Sequence, residues 1–205
     1  MKYFCVQNGI ELKKQFISLR KEFFRKAIHI CTAFVPIFLS FSKTAVIICL
    51  FAAGIFYIIA EILRRNGKKI PLISDITAAA ARKRDENKFV LGPVTLVAGI
   101  LCAAIFFPLK PASAGIYALA FGDGLASLAG KTFGKVKIPF THGKTAAGSL
   151  TCFTAIFLSC FFVTGSTKTA LVSAIIGAFV EVLPLKDFDN LIIPILIGFV
   201  VMKLC

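Results

Sequence analysis

Seven apolar stretches of 16–21 residues follow one another along this 205-residue chain, over 27–42, 44–63, 89–109, 113–130, 145–164, 169–184 and 190–205. A helix needs about 17–25 apolar residues to cross the hydrocarbon core of a bilayer. The first, sixth and last stretches are at or below that limit, so the expected number of spans is about seven. Hydrophobic residues make up 58% of the sequence and mean hydropathy is +0.86, against roughly 45–50% apolar residues in a soluble domain. These features predict an all-α, polytopic helical bundle in the membrane, a single domain over 27–205.

Residues 1–26 carry seven basic side chains and no central apolar run, which argues against a cleavable signal peptide. Over 10–26, Ile10, Phe16, Ile17, Phe23 and Phe24 alternate with lysines and arginines in the manner of an amphipathic surface helix. The seven cysteines form no C-x-x-C pair. They read as small hydrophobes rather than metal ligands or disulfides.

Charge sets an expected orientation. With the N-terminus inside, one face holds the first seven basic residues, eight more in 64–88, four in 131–144, and Lys186. The other face holds only Lys43, Lys110, Lys168 and Lys203. Such a bias predicts a cytoplasmic N-terminus and a C-terminus on the opposite side. All ten acidic residues fall on the same inner side or within spans. Acidic residues contribute little to sorting, so their one-sidedness predicts a working cytoplasmic face. The formal net charge of +14 suits anionic headgroups, and nucleic acid is not an expected partner.

The fourth stretch carries the chemistry. Asp123 sits within it between Gly122 and Gly124, with Gly115 and Gly130 to either side. A carboxylate at membrane depth costs roughly 2.5–3.5 kcal/mol on insertion scales. Helix packing explains the small residues Gly122, Ala126 and Gly130 but not the acid. A helix broken by glycines and lining a polar cavity explains both. Lys131, Lys135, Lys137 and Lys144 follow in or beside one short loop, and the start of the fifth stretch at Thr145 to Ala147 offers backbone N–H groups to an anion. Lysines act on phosphates as point charges, and Mg²⁺ favours one or two carboxylates together with phosphate oxygens. Asp123 is therefore the expected Mg²⁺ ligand and the lysines the expected triphosphate contacts. Neither Gly-Lys-Thr triplet completes a P-loop, because Leu125 and Ile138 stand where its first glycine belongs.

The segments Arg25-Lys26-x-x-His29, Glu61, Gly122-Asp123-x-x-Ala126-Ser127-x-x-Gly130-Lys131-x-x-Gly134-Lys135, Lys144-Thr145-x-x-Gly148-Ser149, Glu181 and Asp189-Asn190-x-x-x-Pro194 together resemble the CTP-dependent lipid kinases. That family includes dolichol kinase, phytol kinase and the fungal-type diacylglycerol kinase, and is distantly related to phosphatidate cytidylyltransferases. Ala146 and Ala147 stand where members often carry an acidic or bulkier residue, and Arg84-Asp85-Glu86 matches only loosely.

The resemblance implies transfer of the γ-phosphoryl of CTP to the hydroxyl of a lipid alcohol, such as diacylglycerol or a polyprenol. It implies a catalytic set of Asp123, Lys144, Asp189 and Asn190. A nucleotide-binding set follows in Lys131, Lys135, Gly130, Gly134, Thr145, Gly148, Arg25, Lys26 and His29. Asp123, Glu61 and Asp189 are the implied metal ligands. A phosphatidate cytidylyltransferase is the alternative, although the C-terminal signature of those enzymes is absent. A small transporter is a minor third reading, weakened by the lack of an internal repeat.

Overall fold

A computed structural model describes residues 19–68, 88–139, 141 and 143–205. Ile10, Phe16 and Ile17 of the expected surface helix lie outside the described residues, as does the Arg84-Asp85-Glu86 segment. Seven helices stand among the described residues: α1 Leu19–Phe41, α2 Lys43–Arg65, α3 Gly92–Phe106, α4 Leu109–Phe133, α5 Ala146–Thr164, α6 Thr167–Val182 and α7 Asp189–Leu204.

Helix boundaries follow from local chemistry. Ser42, Thr145 and Ser166 cap α2, α5 and α6, each accepting a backbone N–H three residues on. Gly165 ends α5 with a φ of 71°, the left-handed conformation that glycine takes without a Cβ penalty. Pro36 cannot donate to Thr32. Val35 N–H takes that carbonyl instead, and α1 tightens into a 3₁₀ turn over Thr32–Phe34.

Helices α1, α2, α4 and α5, of 19–25 residues, are long and apolar enough to span a membrane. The other three, at 15–16 residues, reach only about 23–24 Å at 1.5 Å per residue. The fold is a helical bundle in which four helices are long and apolar enough to cross on their own. The outward faces are apolar: Phe41, Phe51, Phe56, Phe106, Phe162 and Phe179 are all exposed. A surface this apolar fits lipid rather than water. Cys31, Cys49 and Cys205 share that exposure and Cys102 is half-buried, so among the described residues only Cys152 and Cys160 are the buried hydrophobes expected of the cysteines.

α4 is the central helix. Its apolar window is 67% buried, against 11–22% for the windows of the other three long helices. It packs on α5 and α7, while α2 lies at the periphery against α3. Close approach depends on missing side chains. A Cβ on Gly115 would stand 2.2 Å from Pro194 O, and one on Gly99 at 2.2 Å from Asn190 O. Helix α4 is not broken at its glycines, as the sequence suggested. It continues through a π-helical turn over Ala118–Asp123, a local widening of the helix. Such turns recur at functional sites.

α1 also runs on without interruption across the expected boundary at residue 26. Phe23 and Phe24 face outward, yet Glu22 and Lys26 are buried in the bundle.

Candidate active site

A polar seam joins α1 to α4. Glu22, Lys26 and His29 recur at helical spacing on one face of α1, and Asp123, Ser127 and Lys131 on one face of α4. The pairing is antiparallel. Lys26 Nζ donates to Asp123 Oδ2 at 2.5 Å. One turn away, Ser127 Oγ and Lys131 Nζ each donate to Glu22 at 2.5 Å, and Arg25 donates to the same carboxylate. His29 Nδ1 lies 3.1 Å from Asp123 Oδ2 but without hydrogen-bond alignment, so this buried nitrogen has no hydrogen-bond partner. Lys26 is only 2% exposed and Asp123 4%. At that depth neither charge is tolerable without the other.

A second ionic tie closes the far wall. Lys144 Nζ donates to Glu181 Oε1 at 2.6 Å, and Ser149 Oγ to Glu181 Oε2 at 3.3 Å. The end of α6 is thereby tied to the start of α5.

Between the two ties lies a cavity of about 400 Å³. Lys26, Lys131, Lys144 and Lys186 reach its walls, together with Asp123, Glu181 and Asp189. Thr145 and Gly148, at the N-terminus of α5, also line it. The arrangement is a cation-rich chamber beside the N-terminus of α5, with carboxylates in its wall, the size of a ligand pocket.

The glycines of this region have a geometric reason. A Cβ on Gly134 would come within 2.1 Å of Gly130 O and 2.5 Å of Thr145 Oγ1. One on Gly130 would come within 2.9 Å of the same hydroxyl. Gly130, Gly134 and Gly148 let the end of α4 and the start of α5 close around Thr145. Two backbone hydrogen bonds, Ile138 N to Lys144 O and Ala146 N to Val136 O, then fold the connecting loop back.

Several expected site residues lie elsewhere. Glu61 is no neighbour of this cavity. Both its oxygens accept from Arg64 at 2.7 Å, and Oε1 also accepts Val90 N–H at 3.0 Å. It ties the end of α2 to the approach to α3, and does not line the chamber that holds Asp123. Lys135 is exposed and does not line the chamber. Asn190 turns from the cavity, its Nδ2 donating to Thr95 Oγ1 at 3.2 Å and to Gly92 O at 3.4 Å. Glu22, Ser127 and Glu181 were not among the expected site residues. The spacing of Glu22, Lys26 and His29 is the signal that could have revealed Glu22.

Among the described residues, no three His, Cys, Asp or Glu side chains gather closely enough to hold a bare metal ion. Asp123 and Asp189 do line one chamber with four lysines. That donor set fits an ion arriving with a polyphosphate, since Mg²⁺ keeps phosphate and water oxygens in its shell.

No family model matches the chain, and no solved structure matches it. Curated relatives do. The chain is 35% identical over 142 residues to a probable phytol kinase 3, chloroplastic, of Glycine max, covering 60% of this chain and 44% of that protein. It is 29% identical over 150 residues to phytol kinase 1, chloroplastic, of Arabidopsis thaliana, covering 63% and 49%. It is 33% identical over 128 residues to farnesol kinase, chloroplastic, of the same plant, covering 54% and 41%. The chain spans about half the length of the curated relatives it matches.

Proposed function

We propose that this chain, a homologue of plant phytol and farnesol kinases, is itself a membrane lipid-alcohol kinase that transfers the γ-phosphoryl group of CTP. The observation that carries the reading is the shared chamber, which Asp123, Asp189, Lys131 and Lys144 line together beside the N-terminus of α5. Phosphoryl transfer asks mainly for positioning and charge neutralisation, and this chamber supplies both. Lys131 and Lys144 leave Glu22 and Glu181 to contact the triphosphate. Asp123 and Asp189 would hold Mg²⁺, which when bound offsets the charge that develops on the phosphate oxygens. Thr145 and Gly148, at the start of α5, form the wall beside which the phosphates would lie. Asp189 faces the lipid hydroxyl and is the proposed acceptor of its proton, while Asn190 orients it through its bonds to α3. The chamber is proposed to open to the cytoplasm, where most basic residues cluster.

Purified protein in detergent, supplied with CTP labelled at the γ- or the α-phosphate, tests the reading against phytol, farnesol, a polyprenol and diacylglycerol. Label passing from the γ position into lipid is the expected result. With phosphatidate as the acceptor, incorporation of the α label would mean cytidylyl transfer. No label in any lipid from either position would overturn the proposal.

A further inference from the structure

The loop that follows α4 has two kinds of lysine. From 124 to 180 the sequence holds no acid, yet it places four lysines between 131 and 144. Two of the four meet the protein's own carboxylates, Lys131 at Glu22 and Lys144 at Glu181. Lys135 and Lys137 are exposed and line no part of the chamber. Among the described residues they make no ion pair. Phe133 and Val136 alternate with them and are 76% and 68% exposed.

Apolar and cationic side chains alternating along one short exposed loop suit an anionic bilayer surface better than water. There the apolar groups reach the acyl boundary while the ammonium groups meet headgroup phosphates. The neighbouring surface has the same character. Helix α1 pairs antiparallel with α4, so its start lies beside the end of α4. Arg20, Lys21 and Phe23 are exposed at that start.

The loop is also tied to the chamber wall through its backbone. Ala146 N–H donates to Val136 O at 3.0 Å, and Ile138 N–H to Lys144 O at 2.9 Å. Lys137 faces Thr145 across the antiparallel bridge that these bonds make. A displacement of Phe133–Lys137 therefore reaches Lys144 and Thr145, both of which line the chamber. We infer that Phe133–Lys137 docks on the anionic headgroups of the bilayer, and that docking steadies Lys144 and Thr145 for the nucleotide. The second half rests on the kinase reading, and the first does not. Lys135, which the sequence grouped with the nucleotide contacts, thereby has lipid phosphate as its ligand.

Val136→Trp places a single fluorophore on the loop. In reconstituted protein, its quenching by acyl-brominated phospholipid should rise about twofold when phosphatidylglycerol is mixed into phosphatidylcholine bilayers. Adding Lys135→Gln/Lys137→Gln should abolish that rise. Equal quenching in both bilayers would overturn the docking. Emission shielded from aqueous iodide but never quenched by lipid would mean that a protein covers the loop, and would overturn it too.

Nucleotide affinity reads the second half without turnover. An anionic surface repels a free triphosphate, so electrostatics by itself predicts weaker CTP binding in the mixed bilayer. Docking predicts the opposite, a Kd about fivefold lower than in phosphatidylcholine, with the gain lost in Lys135→Gln/Lys137→Gln. In phosphatidylcholine that variant should match the wild type within about twofold, because exposed charges outside the chamber are screened. Weaker CTP binding there would return the two lysines to the nucleotide and overturn the inference, as would an unchanged or higher Kd in the mixed bilayer. Docking without CTP binding in either bilayer would sink the kinase reading alone.

Discussion

Asp123 illustrates how one contact changes the expected behaviour of a residue. Considered as an isolated acid in an apolar stretch, its replacement by Asn should leave folding intact, because an expensive charge is removed. Its pairing with the fully buried Lys26 reverses that expectation. Asp123→Asn strands an ammonium in the bundle, and removing one partner of a buried pair costs about 3–5 kcal/mol. Asp123→Asn should therefore unfold at lower temperature in detergent and lose phosphoryl transfer. The double variant Lys26→Met/Asp123→Asn should regain much of the stability and none of the activity. A stable, active Asp123→Asn protein would remove Asp123 from the site.

Lys186 offers a milder test at the same scale. It sits at φ 58° on the chamber wall, a conformation that costs a side-chain-bearing residue about 1–2 kcal/mol. Lys186→Gly should raise the melting temperature while weakening nucleotide binding through the lost cation. A fall in stability would show that the lysine's contacts outweigh its backbone strain.

Among the elements, packing is governed by small residues facing large ones. A Cβ on Gly177 of α6 would stand 2.3 Å from Ile156 Cδ1 of α5, with the next contact at 3.5 Å. Gly177→Ala should therefore destabilise by about 1–3 kcal/mol through overpacking. Ile156→Val removes the offending methyl, so the double variant should recover most of that loss in thermal unfolding. If it does not, the clash is not the cause. The Gly130–Gly134–Gly148 knot around Thr145 follows the same logic. The sequence suggested nucleotide contacts for these glycines; the structure adds a packing reason for each, because a side chain there would force α4 and α5 apart, and Gly130 and Gly148 line the chamber as well.

Across the whole molecule, the apolar exterior makes a prediction that the absence of tryptophan from the sequence renders easy to check. Phe162, 82% exposed, can be changed to Trp as a single fluorescent reporter. In bilayers its emission should be quenched by phospholipids brominated on the acyl chain and not by aqueous iodide. The reverse pattern would mean that this face of α5 meets water. A charged group on such a surface is costly, about 2.5–3.5 kcal/mol at mid-membrane, which is why the buried acids are paired, along the α1–α4 seam, at the α5–α6 tie and in the Glu61–Arg64 pair at the end of α2.

Hydrophobic run length determined the helical elements, because the backbone inside a bilayer must satisfy its own hydrogen bonds. Seven stretches became seven helices among the described residues, six within about four residues of the expected bounds and α1 already helical at Leu19 rather than 27. Composition and cost likewise singled out Asp123, since an acid in such a setting needs a reason. Partners were another matter. Glu22 and Lys131 are separated by 109 positions, and Lys144 and Glu181 by 37, so only helix packing decides which carboxylate meets which lysine. Glu61 shows the same limit from the other side. As a sequence feature it matched the metal set, but Arg64 one turn on and the Val90 amide claim its oxygens. Helix existence is a local property of the chain, whereas ion pairing at depth depends on which faces the bundle buries together.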